Sequence, residues 1–124
     1  MMDSIELKSN LSDLKFRLNE IREGVFDVSA KEQRLEQIEI DLAKEEVWSD
    51  LELSQKISKE KTAIEKSLIN FKSVEEKVSD SLVLLEIAES ESDIDSINEI
   101  SKDFTELDDA VAALEFSKMF TNKM

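Results

Sequence analysis

The chain has 124 residues, enough for one modest core that buries roughly two-thirds of the surface its unfolded form exposes. It contains no cysteine and no histidine, which excludes thiol redox chemistry, the usual zinc sites and the side chain most used as a general base near neutral pH. Thirty acidic against sixteen basic residues give a net charge of −14, which repels nucleic-acid phosphates and anionic lipid and favours basic protein partners.

One glycine and no proline leave almost no turn chemistry for hairpins. Apolar residues recur at helical spacing, so the expectation is an all-α fold: an elongated antiparallel helical bundle of about four helices, forming a single domain over residues 1–124. Helix 1, over 4–23, carries Leu7, Leu11, Leu14, Leu18 and Ile21 at alternating intervals of four and three, the seam of a heptad. Gly24 is expected to end it in a left-handed C′ position. Helix 2, over 30–45, is expected to start from a capping box, Ser29 with Glu32, and to bury Leu35, Ile38 and Leu42.

A second capping box, Ser49 with Glu52, predicts the start of helix 3 over 50–89, with Ser49 as N-cap. The chain's one tryptophan, Trp48, then stands at N′ and Leu53 at N4, placed to form a hydrophobic staple, so a packing role is expected for Trp48. Ile57, Ile64, Phe71, Val78 and Leu85 keep a strict seven-residue interval along a helix of about 60 Å. Glu52, Lys56 and Glu60 add i,i+4 pairs. No basic residue falls between Lys77 and Lys102, so residues 86–99 predict an acidic tip where the chain turns. Helix 4, over 93–118, carries Ile97, Ile100, Phe104, Leu107, Val111 and Leu114 and is expected to pair with the long central helix. It ends on Phe116, Met119 and Phe120, an apolar ending that reads as a cut helix.

No chemistry emerges from this pattern. Adjacent carboxylates such as Glu45 with Glu46, Glu75 with Glu76, and Asp108 with Asp109 point about 100° apart on a helix and do not converge on one proton. Asp93 to Asp95 resembles the start of a calcium loop, but Ile97 and Asn98 stand where an oxygen ligand and a glycine belong. One glycine cannot build a phosphate-cradling loop, and no histidine activates a serine. Catalytic, cofactor-binding and metal residues are therefore expected to be none, and no cofactor is expected. The first residues show no secretory pattern and no run approaches the roughly 20 apolar residues of a membrane span, so a cytoplasmic location is expected, with no membrane contact.

The stretch LEQIEIDLAKEEVWSDLELSQKISKEKTAIEKSL resembles the amino-terminal domain of the bacterial class-I peptide chain release factors, in the release-factor-2 branch. Trp48, Ser49, Asp50, Gln55, Lys59 and Glu60 fit that pattern, as do GVFDVSAKEQRLEQIE, SLVLLEIAESESD and LEFSKMF. The resemblance implies a helical bundle acting in UAA- and UGA-directed translation termination. The partners it implies are the ribosome at the large-subunit stalk base, near ribosomal protein L11, and the GTPase that recycles release factors. The family's Gly-Gly-Gln and Ser-Pro-Phe motifs cannot occur in a chain with one glycine and no proline, so no hydrolytic activity is expected of it. A different class of reading is a coiled-coil scaffold or self-associating module. A prefoldin-like arm is disfavoured by the acidic tip, and a tRNA-synthetase arm by the charge of −14.

Overall fold

The computed structural model describes the backbone of residues 2–24 and 26–121 and the side chains of the same residues up to 116. Among the described residues the chain is all-α: α1 (Ser4–Glu23), α2 (Val28–Leu42), a single turn α3 (Glu45–Trp48), the 40-residue α4 (Leu51–Ser90) and α5 (Ile94–Thr121). It divides into two compact units, one of Met1–Phe26 with Lys72–Met124, the other of Asp27–Phe71.

In the first unit α1, the later part of α4 and α5 form a bundle. Leu7, Leu11, Leu14, Leu18 and Ile21 are each at most 1% exposed, so the whole heptad seam of α1 is covered within the chain. They share the core with Val74, Val78, Leu85 and Ala88 of α4 and Ile100, Leu107, Val111 and Leu114 of α5. Ion pairs fix the directions. Lys8 faces Glu86 and Arg22 faces Glu75, so α1 runs antiparallel to α4. Arg17 reaches Asp108 and Glu115, and the Met2 amide donates to Ser101 Oγ at 3.3 Å, so α1 runs parallel to α5.

In the second unit α2 lies beside the first part of α4, with Arg34 bonded to Glu60 and Lys61 to Glu39. Its buried set is smaller: Val28, Ile38, Val47, Leu68 and Phe71. The seven-residue row on α4 registers this difference. Phe71, Val78 and Leu85 are fully buried, whereas Ile57 and Ile64 are half-buried, because there α4 has the short α2 beside it rather than two long helices.

The helix starts differ from expectation in one consistent way. Each of the four long helices begins on an aspartate whose carboxylate accepts an amide: Asp3 from Glu6 at 2.8 Å, Asp27 from Ala30 at 3.0 Å, Asp50 from Leu53 at 3.1 Å and Asp93 from Ser96 at 3.1 Å. Neither Ser29 nor Ser49 is an N-cap. An aspartate satisfies the same orphan amide and adds a negative charge at the positive end of the helix dipole, which a serine lacks. Gly24 is not left-handed, at φ −89°; the turn into α2 is made by Asp27 at φ 46°, a conformation its short polar side chain tolerates. Helix 2 also starts earlier than expected and stops at Leu42, after which α3 forms a separate turn.

This shift removes the staple. With Asp50 as the cap, N′ is Ser49, and Trp48 becomes the last residue of α3, 57% exposed. The apolar anchor of the corner is its neighbour Val47. The expected packing role of Trp48 does not hold.

Candidate interaction surface

The turn between α4 and α5 is a Schellman motif built without glycine. Ser92 takes the left-handed position at φ 53°, the Asp93 amide donates to the Ala88 carbonyl at 2.8 Å and the Ser92 amide to the Glu89 carbonyl at 3.2 Å. One residue later the chain is helical again, because Asp93 caps α5 with both oxygens: Oδ1 accepts the Ser96 amide and Oδ2 the Ser96 hydroxyl at 2.7 Å. The hydroxyl bond first, then the amide, holds the Asp93 carboxyl below the ordinary carboxylate range. Asp93 is thus a helix cap, and among the described residues no group of three or more carboxylates is arranged to hold a metal ion.

This turn closes a groove of about 470 Å³ between α4 and α5. Its floor and one wall are apolar, from Leu84, Ile87, Ala88 and Ile100, with Leu84 55% and Ile87 50% exposed. Its rim carries Glu91, Asp93, Asp95, Glu99 and Asp103, and no lysine or arginine lines it. Glu91, Asp95, Glu99 and Asp103 make no ion pair among the described residues; the nearest such contact along α4 is the long one from Lys8 to Glu86, at 4.0 Å. Ile94, at the start of α5, is 67% exposed. A second groove follows along the same helix pair, lined by Val74, Lys77, Asp80, Ser81, Asp103, Glu106, Leu107 and Ala110.

The sequence located this tip through its missing basic residues, but only the fold adds the exposed leucine and isoleucine. Acids around an open apolar strip make a surface that attracts a basic protein segment and excludes phosphate and anionic lipid. Several other acids are occupied in holding helices together. Glu75 accepts two bonds from Arg22, Asp108 and Glu115 accept from Arg17, and Glu60 accepts two from Arg34 at 2.7 Å. Arg34 holds the Glu60 carboxyl below its ordinary range, so Glu60 pairs chiefly across helices rather than along its own. Glu76 and Asp109, the sequence neighbours of Glu75 and Asp108, are exposed, as the divergence of adjacent helical side chains requires. Met119 and Phe120, expected to form an apolar ending, lie outside the described side chains, while Phe116 is exposed.

No protein-family model matches the chain. It is 34% identical over all 124 of its residues to peptide chain release factor 2 of Xanthomonas euvesicatoria pv. vesicatoria (strain 85-10), covering 33% of that protein. It is 35% identical over 117 residues, 90% of this chain, to peptide chain release factor 2 of Shewanella baltica (strain OS223), covering 32% of it. To the factor of the same name from Aliivibrio fischeri (strain ATCC 700601 / ES114) it is 33% identical over 98% of this chain and 33% of the relative. The chain thus spans about a third of the length of the curated relatives it matches.

Proposed function

We propose that this chain, which belongs with the peptide chain release factor 2 family through similarity over its whole length, serves as the amino-terminal helical domain of such a factor in translation termination. The observation that carries this reading is the alignment of all 124 residues with a release factor at 34% identity. On this reading the 124 residues act as one domain in the cytoplasm, and codon recognition at UAA and UGA and peptide release belong to parts of the factor outside them. Gly24 is the only glycine, so a Gly-Gly-Gln loop does not lie within these 124 residues. No helix among the described residues is long and apolar enough to cross a membrane.

The partner on this reading is the ribosome, contacted by protein rather than RNA at the large-subunit stalk base near ribosomal protein L11, with the recycling GTPase as a second contact. The acidic groove at the α4–α5 turn is the surface whose chemistry suits a basic ribosomal protein. Self-association through the α1 heptad is disfavoured, since its leucines are already covered.

Co-sedimentation with 70S ribosomes and isolated large subunits across a salt series tests the reading. Salt-sensitive binding to the large subunit is expected, weakened by neutralising Glu91, Asp95 and Glu99 to their amides in the factor. Unchanged affinity of the neutralised full-length factor at low salt removes the groove from the contact.

A further inference from the structure

The groove at the α4–α5 turn continues down the helix pair. The second groove repeats the first at an interval of seven residues: Leu84, Ile87 and Ala88 of α4 are followed by Lys77, Asp80 and Ser81, and Glu99 and Ile100 of α5 by Glu106 and Leu107, with Asp103 lining both. Seven residues are about two helical turns, so the two grooves make one channel between the same two helices. From Asp95 to Ala110 it runs about 22 Å, the length of a helix of four turns.

Its walls differ. Near the turn the α4 wall is apolar, through the exposed Leu84 and Ile87. On the α5 wall Asp95, Glu99 and Asp103 stand four residues apart and Glu106 three further on, all exposed and none in an ion pair among the described residues. Like charges at i,i+4 disfavour the helix that carries them, and a facing row of cations relieves the repulsion. Another side of the same pair shows what fills such a channel. There α1 lies with its leucines inward, Arg17 on Asp108 and Glu115 of α5, and Lys8 and Arg22 on Glu86 and Glu75 of α4. Neither those four acids nor any residue of α1 lines the open channel among the described residues.

We propose that the open channel takes one helix of a basic partner protein, laid along α4 and α5 as α1 is, with apolar residues on Leu84, Ile87 and Ile100 and lysine or arginine every fourth residue on the acidic row of α5. This rests on the reading of the groove as the surface for a basic protein, and adds the form of the segment and its apolar anchor. Both walls are helices whose backbone groups are bonded within themselves, so they offer an extended chain no main-chain partners, whereas a helix arrives with its own satisfied. The acidic row excludes phosphate and anionic lipid.

The probe is a labelled synthetic helix of about 16 residues, the span of the channel, with leucine at heptad spacing and arginine every fourth residue beside it. It is titrated into the chain by fluorescence anisotropy, next to a peptide of the same composition in which two D-amino acids stop the helix. The helical peptide is expected to bind about tenfold tighter or more than its interrupted form. Leu84→Gln with Ile87→Gln weakens it about tenfold at unchanged helical circular dichroism, and the loss persists in about 0.5 M salt. Glu99→Gln with Asp103→Asn and Glu106→Gln flattens the salt dependence, and Phe16→Gln, an exposed apolar residue of α1, changes nothing. Equal binding of the interrupted peptide overturns the helix and leaves the groove a site for basic chains. Equal losses from Phe16→Gln, indifference to Leu84→Gln with Ile87→Gln, or no binding at about 1 mM peptide overturns the channel as the site. Peptide binding as expected, with ribosome sedimentation of the factor unmoved by the same substitutions, supports the helix and overturns only its ribosomal source.

Discussion

Replacing Arg17 with methionine keeps the apolar stem and removes the guanidinium that ties α1 to α5. That group donates from Nη1 to Asp108 at 3.0 Å and, in a fork, from Nε and Nη2 to Glu115 at 3.1 and 2.6 Å. These bonds raise the arginine above its ordinary range, so it stays charged at every pH the fold survives. Fully desolvated charge-assisted bonds reach about 1.5–3 kcal/mol each, but exposed pairs give only about 0.2–1 kcal/mol. Arg17 is 27% exposed while Asp108 and Glu115 are 46% and 41% exposed, so solvent screens both pairs and the upper part of the exposed range applies. Two pairs then total about 1–2 kcal/mol. Urea unfolding at low salt reads this loss. A double-mutant cycle of Arg17→Met with Glu115→Gln should return a coupling of about 1 kcal/mol that shrinks in 1 M salt, where the screening length is about 3 Å. Stability of Arg17→Met within about 0.3 kcal/mol of the parent, or a coupling of zero, refutes the assignment of this clamp.

Val78→Ala, in the fully buried part of α4, should cost about 2 kcal/mol in urea unfolding, and Ile57→Ala less despite its larger side chain, because Ile57 is half-buried; the reverse order contradicts the burial reading. Asp50→Ala should cost about 1 kcal/mol and lower amide protection in the first turn of α4, whereas Ser49→Ala should leave both within about 0.5 kcal/mol and unchanged; equal losses would restore the serine as cap. Acid should destabilise the fold through Asp93 and Glu60. Both carboxyls are lowered in the folded chain, so their contribution is complete above the unfolded value of roughly 4 and is lost as pH falls through the folded values. Helical signal followed down a pH series should therefore fall below about pH 4, and more gently in Asp93→Asn with Glu60→Gln; identical profiles contradict the two contacts.

The seam of α1 and the long α4 were legible because both are periodic, and periodicity is a property of many residues that no single contact can reverse. Leu7 to Ile21 are buried as their spacing requires. The helix starts were less legible because each turns on one side chain among several competent ones. In the stretch from Ser49 to Glu52 either Ser49 or Asp50 can cap, and choosing the serine moved Trp48 by one place into a staple it does not form. Four aspartate caps in a chain of thirty acidic residues were a readable signal, since the helix dipole favours the charged cap. The acidic tip was visible as a gap in basic residues, but its groove was not. Leu84 and Ile87 lie off the seven-residue row of α4, and only the fold shows them on the open side of the helix.

The chain has no cysteine, so a single one can be introduced to test the proposed contact with the ribosome. A photo-activated cross-linker on Ser90→Cys, at the exposed end of α4 beside the acidic groove, is compared with one on Ser12→Cys, on the exposed side of α1. Adducts of Ser90→Cys with a basic protein of the large-subunit stalk base, lost when Glu91, Asp95 and Glu99 are neutralised, are the predicted result. Adducts from Ser12→Cys with none from Ser90→Cys, or adducts that persist after neutralisation, contradict the assignment of the groove as the ribosome-facing surface.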